Sequence, residues 1–143
     1  FRRVLFRSWD TKENAGFTTG EPWIPVNPNF PEINAADQME REDSVLACYR
    51  KLIALRKKIP VFLDGRYEPL LAEDPQIFAY RRQGKDETLL VVCNFFGESI
   101  PNPLMAEEQG GTLLACSYTD AGDGKTLRPY EARMVLLSAK ASA

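Results

Sequence analysis

No histidine occurs anywhere in the 143 residues of this chain. That absence removes His-based general bases, His metal ligands and any Ser-His-Asp or Cys-His triad formed within it. Cysteine is scarce. Cys48, Cys93 and Cys116 lie 45 and 23 residues apart, a spacing that fits no metal or redox motif. Two of them sit inside apolar runs, where Cys acts as a small buried hydrophobe. The odd count, with no signal peptide, points to a reducing, cytoplasmic setting. An excess of one charge is missing too: a net charge of −2 leaves no basic face for nucleic acid. No apolar run reaches membrane-spanning length, and the densest, Thr88–Phe96, is strand-sized. No cofactor, metal, nucleic acid or membrane is expected as a partner.

What is present is an ordinary globular composition, with room for one domain or one domain and the remnant of another. The first eight residues stand apart. Phe1–Ser8, FRRVLFRS, carries three arginines and no acid. It is also the translation of TTC AGA CGT GTG CTC TTC CGA TCT, the end of a common sequencing-library adapter. Residues 1–8 are therefore read as an artefact and left out of fold reasoning.

Trp9–Phe30 reads as a long ordered loop. Pro22, Pro25, Pro28 and Pro31 recur every third residue, which blocks helix and favours extended backbone. Gly16 and Gly20 permit turns with positive φ. Trp9, Phe17, Trp23, Ile24, Val26 and Phe30 supply apolar surface to pin the loop to a scaffold. Loops of this length tend to be functional, and the plainer alternative is a packing strap. Asn34 is a candidate N-cap for a short helical turn, Ala35–Met39. Asp43 or Ser44 then caps a main helix, Val45–Lys58. Val45, Tyr49, Leu52 and Ile53 form its apolar stripe, basic residues gather at its C-terminal end, and Pro60 stops it.

From Val61 the period changes to that of strands. Gly65–Leu71, Gln76–Arg82, Glu87–Asn94, Thr112–Tyr118 and Glu131–Leu137 are separated by turns, which predicts an antiparallel sandwich with Glu87–Asn94 at its centre. Phe78, Tyr80 and Phe95 alternate as core residues would. Asp120–Gly124 reads as a hairpin-like turn; its two aspartates do not have EF-hand spacing, and a Gly-rich turn needs no metal.

The string WDTKENAGFTTGEPWIPVNPNF resembles the segment that follows the catalytic core of α-glucosidases in glycoside hydrolase family 13. In the oligo-1,6-glucosidase group a Met-Gln-Trp-Asp run leads into Asn-Ala-Gly-Phe-Thr, and Trp9-Asp10 begins in the middle of that run. Tyr49–Lys57 is similar to the family's last barrel helix. Gly65-Arg66-Tyr67, Pro75–Tyr80, Leu89–Phe95 and Leu127–Ala132 are similar to its C-terminal β domain, so the resemblance covers the chain after Ser8.

The resemblance implies a mainly β fold: a C-terminal antiparallel β-sandwich preceded by a long loop and the last helix of a truncated (β/α)8 barrel. Residues 9–60 would end the barrel, 61–138 would form the sandwich, and 139–143 would be a frayed tail. It also implies a bacterial, cytoplasmic enzyme of carbohydrate metabolism that hydrolyses terminal α-glucosidic bonds of short oligosaccharides with retention, through a carboxylate nucleophile and an acid/base carboxyl. Those carboxylates, and a third that assists them, would lie upstream of Trp9, so no catalytic residue is assigned here and the fragment alone would be inactive. Trp9, Asp10, Asn14 and Phe17 are the candidates for the pocket wall, with aromatic faces and hydrogen bonds for a sugar; the alternative is that they only pack the loop. The missing barrel would be the natural packing partner. The same pattern is shared by oligo-1,6-glucosidases, trehalose-6-phosphate hydrolases and dextran glucosidases. The competing reading is a stand-alone β-sandwich module that binds carbohydrate or protein, which requires an exposed aromatic platform.

Overall fold

The computed structural model describes residues 8–138. The adapter-like stretch, apart from Ser8, and the tail 139–143 lie outside the described residues. The chain divides into two compact units, Phe1–Ala54 and Leu55–Ala143.

The first unit holds the long loop, helix α1 (Ala35–Glu40) and the start of helix α2 (Val45–Lys58). Both helix starts are capped as the sequence predicts. Asn34 Oδ1 accepts from the Asp37 amide at 2.9 Å, and Ser44 Oγ accepts from the Ala47 amide at 3.1 Å. Ser44 Oγ in turn donates to the Gln38 carbonyl, and Gln38 Oε1 accepts from the Leu46 amide, which ties α1 to α2. The stripe on α2 has a different fate from the one its periodicity predicts. Val45, Tyr49 and Ile53 are exposed, Leu52 is half-buried, and no residue of α2 is buried. The loop aromatics are also less buried than expected. Trp9, Phe17 and Trp23 are exposed, and only Ile24, Val26 and Phe30 are half-buried.

The second unit opens with a surprise of type. Val61–Asp64 is a single helical turn, α3, rather than strand, because Pro60 starts it with a helical φ and the Asp64 amide donates back to the Pro60 carbonyl. The strands follow: β1 (Arg66–Leu70), β2 (Ile77–Gln83), β3 (Glu87–Asn94), β4 (Ile100–Pro101), β5 (Thr112–Cys116), β6 (Thr126–Leu127) and β7 (Ala132–Ser138), with helix α4 (Met105–Glu108) after β4. Five of them form an antiparallel sheet in the order β1-β2-β3-β7-β5, with β3 central as expected. β4 and β6 make a separate two-stranded ribbon. The segment Asp120–Gly124 therefore does not close a hairpin, since β5 pairs with β7 and β6 with β4.

The sheet has two apolar faces, and they are covered differently. On one, Ile77, Ala79, Leu90 and Val92 pack with Leu104 and with Ile100 and Leu127 of the ribbon. On the other, Leu89 and Val91 pack with Val61 and Phe62 of α3, and with half-buried Tyr80, Cys93, Met134 and Leu136. Burial pushes the Cys93 thiol upward, so it stays protonated at neutral pH and acts as a hydrophobe. Here the expectation for the aromatics fails. Phe78 is 44% and Phe95 62% exposed, because β2 turns Ile77 and Ala79, not Phe78, toward the ribbon.

A buried charge cluster locks the far end of the sheet. Glu131 is 1% exposed and receives Arg128 Nε at 2.9 Å, the Arg128 amide at 2.9 Å, Arg133 Nη1 at 3.3 Å and Cys116 Sγ at 3.3 Å. Arg133 is paired again with Glu108 of α4 at 3.0 Å, and Arg128 with Asp120 at 2.7 Å. Burial pushes the Glu131 carboxyl up, but the bonds from Arg128, Cys116 and Arg133 outweigh it and hold the group at about 2.

Candidate functional site

The candidate site lies in the loop of the first unit. Its centre is a short 3-10 turn, Glu13–Gly16, in which Asn14, Ala15 and Gly16 all have positive φ, at 54°, 56° and 67°. Two of these residues are not glycine. Left-handed backbone costs an L-residue roughly 1–2 kcal/mol, so the surroundings must hold it in place. They do so through Ala15, which is fully buried and whose carbonyl accepts from both the Trp9 and Asp10 amides, at 2.8 and 3.2 Å. The carbonyls of Ser8 and Trp9 then accept from the Ala35 and Ala36 amides, so the loop start satisfies the first turn of α1.

The four residues singled out by resemblance are placed as follows. Asp10 accepts from the Lys12 amide at 2.9 Å and pairs with Lys12 Nζ at 3.5 Å. Its carboxylate lies over Gly16. Asn14 donates from Nδ2 to the carbonyls of Thr18 and Gly20, both at 3.2 Å, so its amide group holds the loop together. Phe17 is exposed and lines an open cleft with Asp10, Lys12, Glu13, Gly16, Thr18 and Thr19. Trp9 is 56% exposed and is not among the residues lining that cleft. The structure thus brings Asp10 and Phe17 together, gives Asn14 a scaffolding task, and sets Trp9 apart. Lys12, Glu13, Thr18 and Thr19 are additional lining residues. The cleft combines carboxylates, hydroxyls, an ammonium group and an aromatic face, a set able to hydrogen-bond and stack a polyhydroxylated ring.

Gly16 carries a checkable consequence. An added Cβ would collide with Asp10 Oδ1. The atom in the way, Oδ1, is the one that accepts from the Lys12 amide. Gly16→Ala is therefore expected to weaken the turn by about 1–2 kcal/mol, from φ alone, and to speed hydrogen exchange of the Trp9 and Asp10 amides. Unchanged exchange at those amides would contradict this account of the turn.

Elsewhere, the turn aspartates are engaged by protein groups. Asp120 accepts from Arg128 and the Gly122 amide, and Asp123 from the Lys125 amide. Among the described residues, no three His, Cys, Asp or Glu side chains cluster closely enough to hold a metal ion. No helix among them is long and apolar enough to cross a membrane.

Comparison with known proteins gives this loop and helix a class. Residues 3–65 match the family model described as alpha amylase, catalytic domain, so this stretch is similar to the α-amylase-type glycoside hydrolases. It is 42% identical over 136 residues to the oligo-1,6-glucosidase of Halalkalibacterium halodurans, covering 90% of this chain and 24% of that protein. It is 44% identical over 130 residues to the trehalose-6-phosphate hydrolase of Bacillus subtilis, covering 86% of this chain and 23% of that one. Among solved structures, the trehalose-6-phosphate hydrolase of Bacillus licheniformis superposes with a TM-score of 0.82 at 37% identity, over 92% of this chain and 25% of that one. The isomaltulose synthase of Klebsiella sp. also superposes at 0.82, with 36% identity. The chain spans about a quarter of the length of the relatives it matches.

Proposed function

We propose that this chain is the C-terminal part of a retaining α-glucosidase that acts on terminal α-glucosidic bonds of short oligosaccharides. The observation that carries the reading is the catalytic-domain match over residues 3–65, joined to identities of 42–44% with two glycosidases. On this reading residues 9–60 end a (β/α)8 barrel, 61–138 form the C-terminal β-sandwich, and the catalytic carboxylates belong to the part upstream of Trp9. The cleft beside Asp10 and Phe17 then contributes to the wall of the sugar pocket, with Asn14 holding its shape and Trp9 offering a further aromatic face. Three free thiols support a reducing, cytoplasmic location.

The test is a chimera in which residues 9–143 replace the matching quarter of the Halalkalibacterium halodurans oligo-1,6-glucosidase. The chain alone is expected to show no turnover of p-nitrophenyl α-glucoside. The chimera is expected to hydrolyse it with the bond preference of the donor enzyme, because the loops that set preference are upstream. Turnover by the chain alone, or a folded chimera without turnover, would contradict the proposal.

A second reading has one observation in its favour. The exposed aromatics Phe78 and Phe95 are the kind of platform a stand-alone binding module needs. Titration of the isolated chain with maltose, isomaltose and starch separates the two, since a pocket-wall segment alone is expected to bind none of them.

A further inference from the structure

Hydrogen bonding divides the cleft into groups already spent on the loop and groups still open. Asp10 is spent: Oδ1 accepts from the Lys12 amide, and Oδ2 faces Lys12 Nζ at 3.5 Å. Asn14 is spent as well, since its Nδ2 donates to the carbonyls of Thr18 and Gly20. Those two bonds fall on either side of Thr19 and hold it beside the turn that carries Glu13. The open groups share the same cleft. Among the described residues, none bonds to the Glu13 carboxylate or to the Thr19 hydroxyl, and the Lys12 ammonium has Asp10 Oδ2 as its one ion-pair contact. The Thr18 hydroxyl accepts from the Gly20 amide at 3.1 Å and keeps its own proton to donate.

The open groups form a complementary set. A carboxylate only accepts, an ammonium only donates, and a hydroxyl does both. Adjacent hydroxyls of a pyranose match that set: Glu13 accepts from two neighbouring O–H groups, Lys12 and Thr19 donate to their oxygens, and the apolar face of the ring lies on Phe17. Exposure points to one particular sugar. Lys12, Glu13, Phe17 and Thr19 are all exposed and Thr18 is half-buried, so they make a rim rather than a floor. In a retaining hydrolase the terminal glucosyl unit sits with the catalytic carboxylates, because the nucleophile attacks its anomeric carbon. The unit that reaches outward to a rim is the one on the other side of the broken bond.

We infer that Glu13, with Lys12 and Thr19, binds the leaving-group sugar through its hydroxyls. The inference rests on the hydrolase reading and assigns roles inside the cleft: Asp10 and Asn14 shape the rim, and Glu13 touches substrate. Bond preference stays with the upstream loops. What the rim adds is discrimination between a hydroxylated leaving group and a bare one.

Steady-state kinetics of the chimera described above test it with two substrates that share the terminal glucosyl group, isomaltose and p-nitrophenyl α-glucoside. Glu13→Gln is expected to lower kcat/KM for isomaltose about tenfold more than for the aryl glucoside, the loss of charged hydrogen bonds to one sugar unit. The change is expected in KM rather than in kcat. Thr19→Val should shift the selectivity the same way by a smaller factor. Glu21→Gln, exposed on the same loop but outside the cleft, is the control and is expected to change neither substrate. Equal losses on both substrates in Glu13→Gln would overturn the inference, because Glu13 would then act on the terminal glucose or on the fold. A chimera that turns over the aryl glucoside with a selectivity indifferent to Glu13 would leave the hydrolase reading standing and remove this one. A folded chimera that turns over neither substrate would remove both.

Discussion

Glu131→Gln is expected to destabilise the β unit by roughly 3–5 kcal/mol at pH 7, the cost of removing one partner from a buried charge cluster. The carboxylate is reached by Arg128 and Arg133, and its loss leaves Arg133, itself buried, with Glu108 as its remaining ion-pair partner. The sign of the pH dependence follows from the direction of the shift. Glu131 is held at about 2 when folded, against an ordinary value of 4.5, so the folded state favours the ionised form. Its stabilisation is complete above the unfolded value and is lost as pH falls from about 4.5 toward 2. Urea unfolding of wild type across pH 6 to about 2.5 should therefore show a falling midpoint, and the variant a flatter one. Parallel curves would mean that Glu131 is not the group responsible.

The second large effect is expected at Asn94, buried at the end of β3. Its Nδ2 donates to the carbonyls of Glu98 at 2.7 Å and Arg128 at 3.0 Å, and its Oδ1 accepts from the Phe96 amide at 3.0 Å. One side chain thus pins the β3–β4 turn to the segment that leads into β7. Asn94→Leu keeps the branching of the side chain in a larger volume and removes every one of these bonds. Each orphaned buried group costs about 1–3 kcal/mol, so a total of about 3 kcal/mol or more is expected. Asn94→Asp should be milder at the Phe96 amide but repel the two carbonyls it faces. Thermal unfolding of the pair ranks them, and a Leu variant as stable as wild type would show that the turn is held by other means.

Much of this fold is legible in the sequence, and what is not has physical reasons. Helix α2 has the bounds that its apolar period and Pro60 indicate, and the Asn34 and Ser44 caps work as capping chemistry requires. β3 stands out because it is buried on both faces, which makes it a continuous apolar run. Helix α3 and the ribbon strands β4 and β6 are only two to four residues long, too short to show any period. The aromatics of β2 mislead for another reason. Both faces of that strand are apolar, Ile77 and Ala79 on one and Phe78 and Tyr80 on the other, so alternation separates the faces without saying which is covered. Side-chain size points to the aromatics as core, yet the ribbon sits over the smaller pair.

The candidate site was legible mainly through resemblance. Asp10 and Phe17 meet at one cleft, but Lys12, Glu13, Thr18 and Thr19 have no periodic signal by which a sequence could mark them as lining it. The left-handed run was half visible. Asn14 and Gly16 are residue types that tolerate positive φ, whereas Ala15 is not, and Gly20, also a candidate for a positive φ, does not adopt one.

The most direct test of the central claim is to amplify the source DNA and read upstream of the Trp9 codon. The account predicts an open frame that continues through Met-Gln into a barrel bearing three catalytic carboxylates, with Phe1–Ser8 absent from the natural protein. A start codon and promoter immediately ahead of an encoded FRRVLFRS would contradict it and make the chain a small protein in its own right.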